Sequence, residues 1–304
     1  MSSSSKKVIY AALAGNAAIA VTKFVAATLT GSSAMLSEGI HSLVDTGNQG
    51  LLLHGMKQAK KPADERFPYG HGKEVYFWSF VVAILIFAVG AGVSIYEGIH
   101  HIITPAPIKS PMINYIVLGL AIIFEGAAWY FALREFKKVK GDKGYIEAVH
   151  RGKDPTMFVV LFEDSAAMLG LVVAFVGIWL SQVTGILIFD GIASVVIGLI
   201  LAATAVWLAY ETKSLLIGES ANKVVVDGIR EMVGKHEHIE HVNEVLTMHM
   251  GPEFILVNLS LDFRDDLPVG ELESLIAGLD ADIKRSYAEV KRVFIEAESR
   301  SLKG

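Results

Sequence analysis

Residues 37–48 read SEGIHSLVDTGN, placing Glu38, His41 and Asp45 inside a stretch otherwise apolar enough to be a membrane helix. An ionisable side chain at bilayer depth costs on the order of 2.5–3.5 kcal/mol on insertion scales, so such a cluster requires a partner. His41 and Asp45 are spaced i and i+4 and stand one turn apart on one helix face. Imidazole and carboxylate together suit zinc or a similar divalent cation. Two residues of one helix cannot complete a tetrahedral shell, however. The complement lies in VLFEDSAAMLG, residues 160–170, where Glu163 and Asp164 sit in a run with no other charge. Three or four nitrogen and oxygen ligands from two facing helices make a membrane-depth cation site. The alternative is a hydrogen-bonded polar cluster that only fixes helix packing.

Outward from this stretch, composition points to an integral membrane protein with a polar unit attached. The chain has 304 residues, 52% of them hydrophobic and only 19% charged, with a mean hydropathy of +0.46. Apolar runs near 8–30, 34–56, 76–100, 111–133, 156–182 and 187–210 approach or exceed the roughly 20 residues that cross a bilayer. Six spans are therefore expected. The start, MSSSSKK, has no small-residue cleavage site ahead of a short apolar core, so the first run is expected to be retained. Short polar turns (TGSS, TPAPIKSP, SQVTG) join spans one to two, three to four and five to six. The longer connections, KQAKKPADERFPYGHGK and REFKKVKGDKGYIEAVHRGK, are basic and fall on one side with Lys6 and Lys7. Positive charge marks the cytoplasmic side, so both termini are expected inside. There is no cysteine, which excludes disulfides and thiolate metal sites. A net charge of −5 without a basic tract gives no reason to expect nucleic acid.

Beyond residue 212 the pattern changes. NKVVVDGIREMVGKH is helical in spacing, and VNEVLTMHM and FILVNLSLDF read as strands around a GPE turn. ELESLIAGLDADIKRSY puts Leu272, Leu275, Ile276, Leu279 and Ile283 on one helix face, and VKRVFIEAE closes as a strand. The order αββαβ suits a small α+β unit over residues 212–304, following a transport domain over 1–211. A unit of this size buries a modest core, and pairing with a second copy would help it.

These residues resemble the cation diffusion facilitators over nearly the whole chain. Asn16, Lys23 and GSSAMLSEGIHSLVDTGNQ follow that family's pattern in the first two spans, and RFPYGHGKEVYFW follows it in the next loop. Glu97, Pro105, Asp190 and the LLIGE exit also fit. The resemblance implies a homodimeric six-span metal/proton antiporter with a cytoplasmic ferredoxin-like domain. It implies no cofactor beyond the transported divalent metal, zinc first. One departure stands out: where most zinc-transporting members carry a histidine in the fifth span, this chain has Val160. The fourth ligand is then water or Glu163, which lies about 100° round the helix from Asp164. Losing an imidazole shifts the balance towards manganese or iron. Glu125, alone in the fourth span, is a second unexplained acid. The set is similar to the divergent branch that includes animal zinc transporter nine.

The resemblance also implies proton coupling. His41 must be neutral, and the carboxylates deprotonated, before metal binds, so metal and protons displace one another. Helices rocking about a midplane site would give alternating access. In the loop after span two lie Asp64 and His71, where the family's accessory site uses an acid and histidines; His71 matches a motif position, Phe67 falls where bacterial zinc members have another ligand, and the alternative is a tight turn shaped by Gly70 and Gly72. Lys73 matches a lysine of a dimer-hinge ion pair, with Glu219 as the candidate partner because Ile217 fills the more usual acid position. The positions that bind zinc in relatives' cytoplasmic domains are Asn243, Asn258, Glu296 and Glu298 here. His236, His238, His241 and His249 cluster nearby, and His238 and His241 would be one turn apart if helical; a solvated loop is the other reading. A dimerising domain without the usual regulatory zinc is expected.

Asn16 is expected to hydrogen-bond between helices, and Lys23 to snorkel or pair with an acid. No Gly-rich phosphate loop, nucleophile elbow or HExxH points to an enzyme. The rival to transport is a non-transporting structural or regulatory membrane dimer. A bacterial-type inner or plasma membrane is the default location.

Overall fold

The computed structural model of the chain describes residues 3–140 and 144–300. Gly141, Asp142 and Lys143 of the second basic connection lie outside the described residues, as do the two chain ends.

The chain divides into two compact units. One comprises residues 1–57, 75–150 and 155–213; the other comprises 58–74, 151–154 and 214–304. The boundary expected at 211/212 falls inside a helix, and two connecting segments belong with the C-terminal unit.

The first unit is helical. Helix α1 (Ser3–Thr30) ends at Gly31, whose φ of +72° closes the last turn through its amide to the Ala27 carbonyl, 2.8 Å away. Helix α2 (Ser33–Ala59) follows after one further residue. Helix α3 (Glu74–Leu85) passes through a π turn (Ile86–Ala91) into α4 (Gly92–Ile103). Pro111 and Pro155, whose missing N–H costs nothing in a first turn, open α5 (Pro111–Lys140) and α7 (Pro155–Thr184), with the short α6 (Tyr145–Arg151) between. Helix α8 (Ile188–Ile217) completes the unit. The segments Glu74–Ile103, Pro111–Lys138, Pro155–Thr184 and Ile188–Ile217 are long and apolar enough to cross a membrane. Helix α2 is interrupted by Glu38, His41, Asp45 and Asn48.

Helices α4 and α8 cross with their backbones touching. A side chain on Gly98 would strike the Gly191 carbonyl, and one on Gly191 the Gly98 carbonyl. Such close approach replaces the hydrophobic drive that lipid does not supply between helices. Helix α5 runs along α7 and α1.

The second unit contains α9 (Lys223–Gly234), β1 (Ile239–Gly251), β2 (Phe254–Phe263), α10 (Val269–Ser286) and β3 (Val290–Ala297). The sheet order is β1-β2-β3, with β1/β2 antiparallel and β2/β3 parallel, so α10 serves as the crossover. Alternation along β2 turns Ile255, Val257, Leu259 and Leu261 into the core against Ile229, Val233, Leu279 and Ile283. Strand β1 begins three residues earlier than the sequence predicts. His241 therefore lies in a strand and His238 in the turn before it, so the pair is not on a helix turn, nor is His241 in a loop. Strand pairing of His241 with Asp262 overrides the local pattern.

Candidate membrane-depth cation site

At about 100° per residue, the polar residues of α2 fall into two adjacent stripes. Glu38, Ser42, Asp45 and Gln49 share one; Ser37, His41 and Asn48 share the other. The second stripe faces its neighbours directly. Ser37 Oγ is 2.5 Å from Ser194 Oγ on α8, and Asn48 Nδ2 donates to Glu163 Oε1 on α7 at 2.6 Å.

The first stripe faces a cavity of about 200 Å³. Its wall includes Ser42, Asp45 and Gln49 from α2, Val160, Glu163 and Asp164 from α7, Glu125 from α5 and Asn16 from α1. The structure thus brings Asp45, Glu163 and Asp164 to one space. The Asp45 and Glu163 carboxyl groups are in hydrogen-bond contact. His41 is buried and stands against Asp45, with Nδ1 3.1 Å from Oδ1, but is not part of the wall. Among the described residues, no three His, Asp or Glu side chains converge in metal-ligating geometry. The sequence reading missed Asn48 as the bridge between the stripes and α7; the GN dipeptide after Asp45 carried no such signal.

Above the cavity Lys23 is fully buried. It does not snorkel. Its ammonium donates to Glu38 Oε2 at 3.1 Å, Ser42 Oγ at 2.8 Å and Glu125 Oε1 at 2.8 Å. These contacts partner two of the acids that stood unexplained in the sequence.

A further intramembrane acid, Asp190, anchors the turn between α1 and α2. It is fully buried and accepts hydrogen bonds from Ser32 Oγ at 2.6 Å, Ser33 N at 2.6 Å and Ser33 Oγ at 3.0 Å. His101 Nδ1 lies 3.6 Å from it. Asp190 therefore fixes the start of α2 to α8 and takes no part in the cavity.

Residues 9–217 match the cation efflux transmembrane domain. The chain belongs to the cation efflux family. It is similar to the Xenopus laevis protein named proton-coupled zinc antiporter SLC30A9, mitochondrial, at 34% identity over 84% of this chain and 46% of that one. It is also similar to metal tolerance protein C4 of Arabidopsis thaliana, at 28% identity over 87% and 58%, and to the manganese efflux system protein MneP of Bacillus subtilis, at 23% over 96% and 95%. The chain spans about half the length of the first of these relatives. Family membership and the apolar helices together make this a multi-pass membrane protein of a transporter family.

In the C-terminal unit of this cation efflux protein, His71 Nε2 lies 3.0 Å from Asp64 Oδ2. Asp64 Oδ1 also accepts the amides of Arg66 and Phe67 at 2.9 and 2.7 Å, and the His71 bond leads in holding its carboxyl below the usual range. This is a hydrogen-bonded turn, with the Phe67 ring against His71 and no third ligand among the described residues. The expected Lys73–Glu219 pair is not formed. Lys153 is 2.5 Å from Glu219, and Lys73 Nζ points at Met248 Sδ, 3.7 Å away. Lys153, two residues before α7, occupies the acid instead. Asn243 Nδ2 donates to Ser260 Oγ and the Glu298 carbonyl, and Ser260 Oγ donates to Glu298 Oε2. A sheet-edge hydrogen-bond network occupies two of the four positions at which relatives would carry zinc ligands; Asn258 is exposed.

Proposed function

We propose that this protein is a secondary active transporter that moves a divalent metal, zinc first, across a membrane in exchange for protons. The observation that carries this reading is the cavity into which α2 and α7 jointly present Asp45, Glu163 and Asp164. Metal as cargo would meet Asp45 and Asp164, with His41 reaching it by rotating past Asp45 and Glu163 supplying a further oxygen. Carboxylates and a neutral imidazole are hard-to-borderline donors suited to zinc or manganese. Val160 on the wall, in place of an imidazole, leaves an oxygen-rich set.

Proton exchange follows from the same contacts. Two carboxyl groups in hydrogen-bond contact, as Asp45 and Glu163 are, hold a proton between them, and a divalent cation takes that proton's place. The name of the Xenopus relative, a proton-coupled zinc antiporter, agrees with this reading, and MneP keeps manganese open. Six spans with both termini on the cytoplasmic side, a homodimer joined through the αββαβ unit, and an inner or plasma membrane location complete the proposal. The Asp64–His71 turn is a secondary metal candidate within it.

The rival reading, a membrane scaffold, draws on the lack of three converged ligands among the described residues. Zinc and manganese flux into proteoliposomes under an imposed pH gradient separates the two. Transport predicts flux in the wild type that disappears in Asp45→Ala and Asp164→Ala. No flux of either metal at any gradient would favour the scaffold.

A further inference from the structure

Four carboxylates border the cavity, and one of them comes from neither α2 nor α7. Glu125 lies on α5, a helix that runs along both α7 and α1. Its position on that helix is fixed. One turn along, Trp129 Nε1 donates to Ser165 Oγ on α7 at 3.0 Å, and Gly126 packs beside Met168. Glu125 Oε1 is bonded to Lys23, while Oε2 is buried without a hydrogen-bond partner among the described residues. Glu38 repeats the arrangement: Oε2 is bonded to the same lysine, and Oε1 is buried and unpartnered in a side chain wholly shielded from solvent. One ammonium is therefore shared by two carboxylates, and each keeps an oxygen unsatisfied. Buried carboxylate oxygens left in that state are costly, and either a proton or a cation relieves them.

Resting on the transport reading above, we propose that Glu125 is a further cation-binding residue of the cavity, and that Lys23 is a tethered cation from which an entering divalent metal takes it. The metal bonds the free face of the Glu125 carboxylate and draws it along the wall towards Asp45 and Asp164. Lys23 keeps Glu38 and Ser42. When the metal leaves, the ammonium recovers Glu125. Two consequences follow. The oxygen that replaces the imidazole missing at Val160 comes from α5. In addition, the affinity of the cavity is set by a competition between a fixed monovalent cation and a mobile divalent one.

The test is equilibrium binding of Zn²⁺, and separately Mn²⁺, to the purified full chain by calorimetry at one pH. The proteins are the wild type, Glu125→Gln, Lys23→Met and the double variant, with Asp45→Ala as the reference for the transport reading. Glu125→Gln keeps an acceptor for Lys23 but loses the anionic oxygen, and is expected to weaken binding about tenfold or more. Lys23→Met removes the competitor and is expected to tighten binding about tenfold, an effect that vanishes in the double variant. Should Lys23→Met fail to fold, Glu125→Asp serves. It keeps a charge beside Lys23 but withdraws the carboxylate by one methylene, so weaker binding supports the proposal and unchanged binding opposes it. Glu125→Gln binding like the wild type while Asp45→Ala loses binding would overturn the role of Glu125 and leave the transport reading intact. No binding by the wild type would overturn both.

Discussion

Replacing Asp190 tests whether one carboxylate fixes the register of the helix that carries the site. In Asp190→Ala three donors lose their acceptor at once: the Ser32 and Ser33 hydroxyls and the Ser33 amide. The hydroxyls can rotate, and Ser32 Oγ already accepts the Met35 amide at 3.1 Å. The Ser33 N–H cannot rotate, and an orphaned buried donor costs about 1–3 kcal/mol. Adding the lost charge-assisted bonds brings the expected loss to about 3 kcal/mol. For a unit of some 200 residues this lowers Tm by roughly 6–12 °C, at about 2–4 °C per kcal/mol. Asp190→Asn behaves differently. Its Oδ1 still accepts from Ser33 N, and its amide can donate to Ser32 Oγ, so only charge assistance disappears, at about 1 kcal/mol and about 2–4 °C. Thermal unfolding of the detergent-solubilised chain, followed by intrinsic tryptophan fluorescence, measures both. An alanine variant no less stable than the asparagine variant would falsify the anchoring role, because the two differ in the Ser33 amide.

Further outcomes follow from other sites. Burial holds the His249 imidazole below the usual histidine range. Below about pH 6.5 the unfolded chain therefore binds a proton that the folded chain resists, and stability falls as the pH drops through that window. His249→Gln should flatten this dependence in urea titrations of the full chain at pH 5 to 8, and an unchanged slope would assign it elsewhere. The Asp64 carboxyl, held low chiefly by His71, secures the amides of Arg66 and Phe67. Its contribution is present above about pH 4 and is lost as the pH falls through its lower folded value. In Asp64→Ala those two amides should exchange hydrogen faster while α9 and the sheet keep their protection. Val160→His restores an imidazole to the cavity wall and should raise the zinc-over-manganese binding ratio about tenfold, corresponding to about 1.4 kcal/mol. An unchanged ratio would remove position 160 from metal choice.

The sequence was most informative where function and local periodicity share one helix. The i,i+4 spacing of His41 and Asp45 placed them one turn apart, and Glu163 with Asp164 stood out as the charge in an apolar run. Strand β2 was legible to its ends because its alternation agrees with the buried face. Long-range partnerships were not legible. Lys23 finds Glu125 across 102 residues and Asn48 finds Glu163 across 115, distances over which no periodicity carries information. Lys73 and Glu219 show the converse. Family pattern paired them, but Lys153, in a segment read only as a basic connection, reaches the acid instead. The role of His41 was legible in part, since spacing places it beside Asp45 but does not say which of the two lines the cavity.

Helix α2 carries two acids within its span, Glu38 and Asp45. The stripe Glu38–Ser42–Asp45–Gln49 is continuous, but its two ends are compensated differently. At Glu38 and Ser42 the balancing charge is covalently tethered: the ammonium of Lys23, wholly shielded from solvent. At Asp45 the compensation is local and exchangeable, through the Glu163 carboxyl and the His41 ring. The charge at the first end is fixed by its tether, whereas the one at the second can exchange, which under the transport proposal leaves room for cargo. Glu125 touches both ends, through Lys23 on one side and the cavity on the other, so under the transport proposal one carboxylate joins the anchored end of the stripe to the exchangeable one.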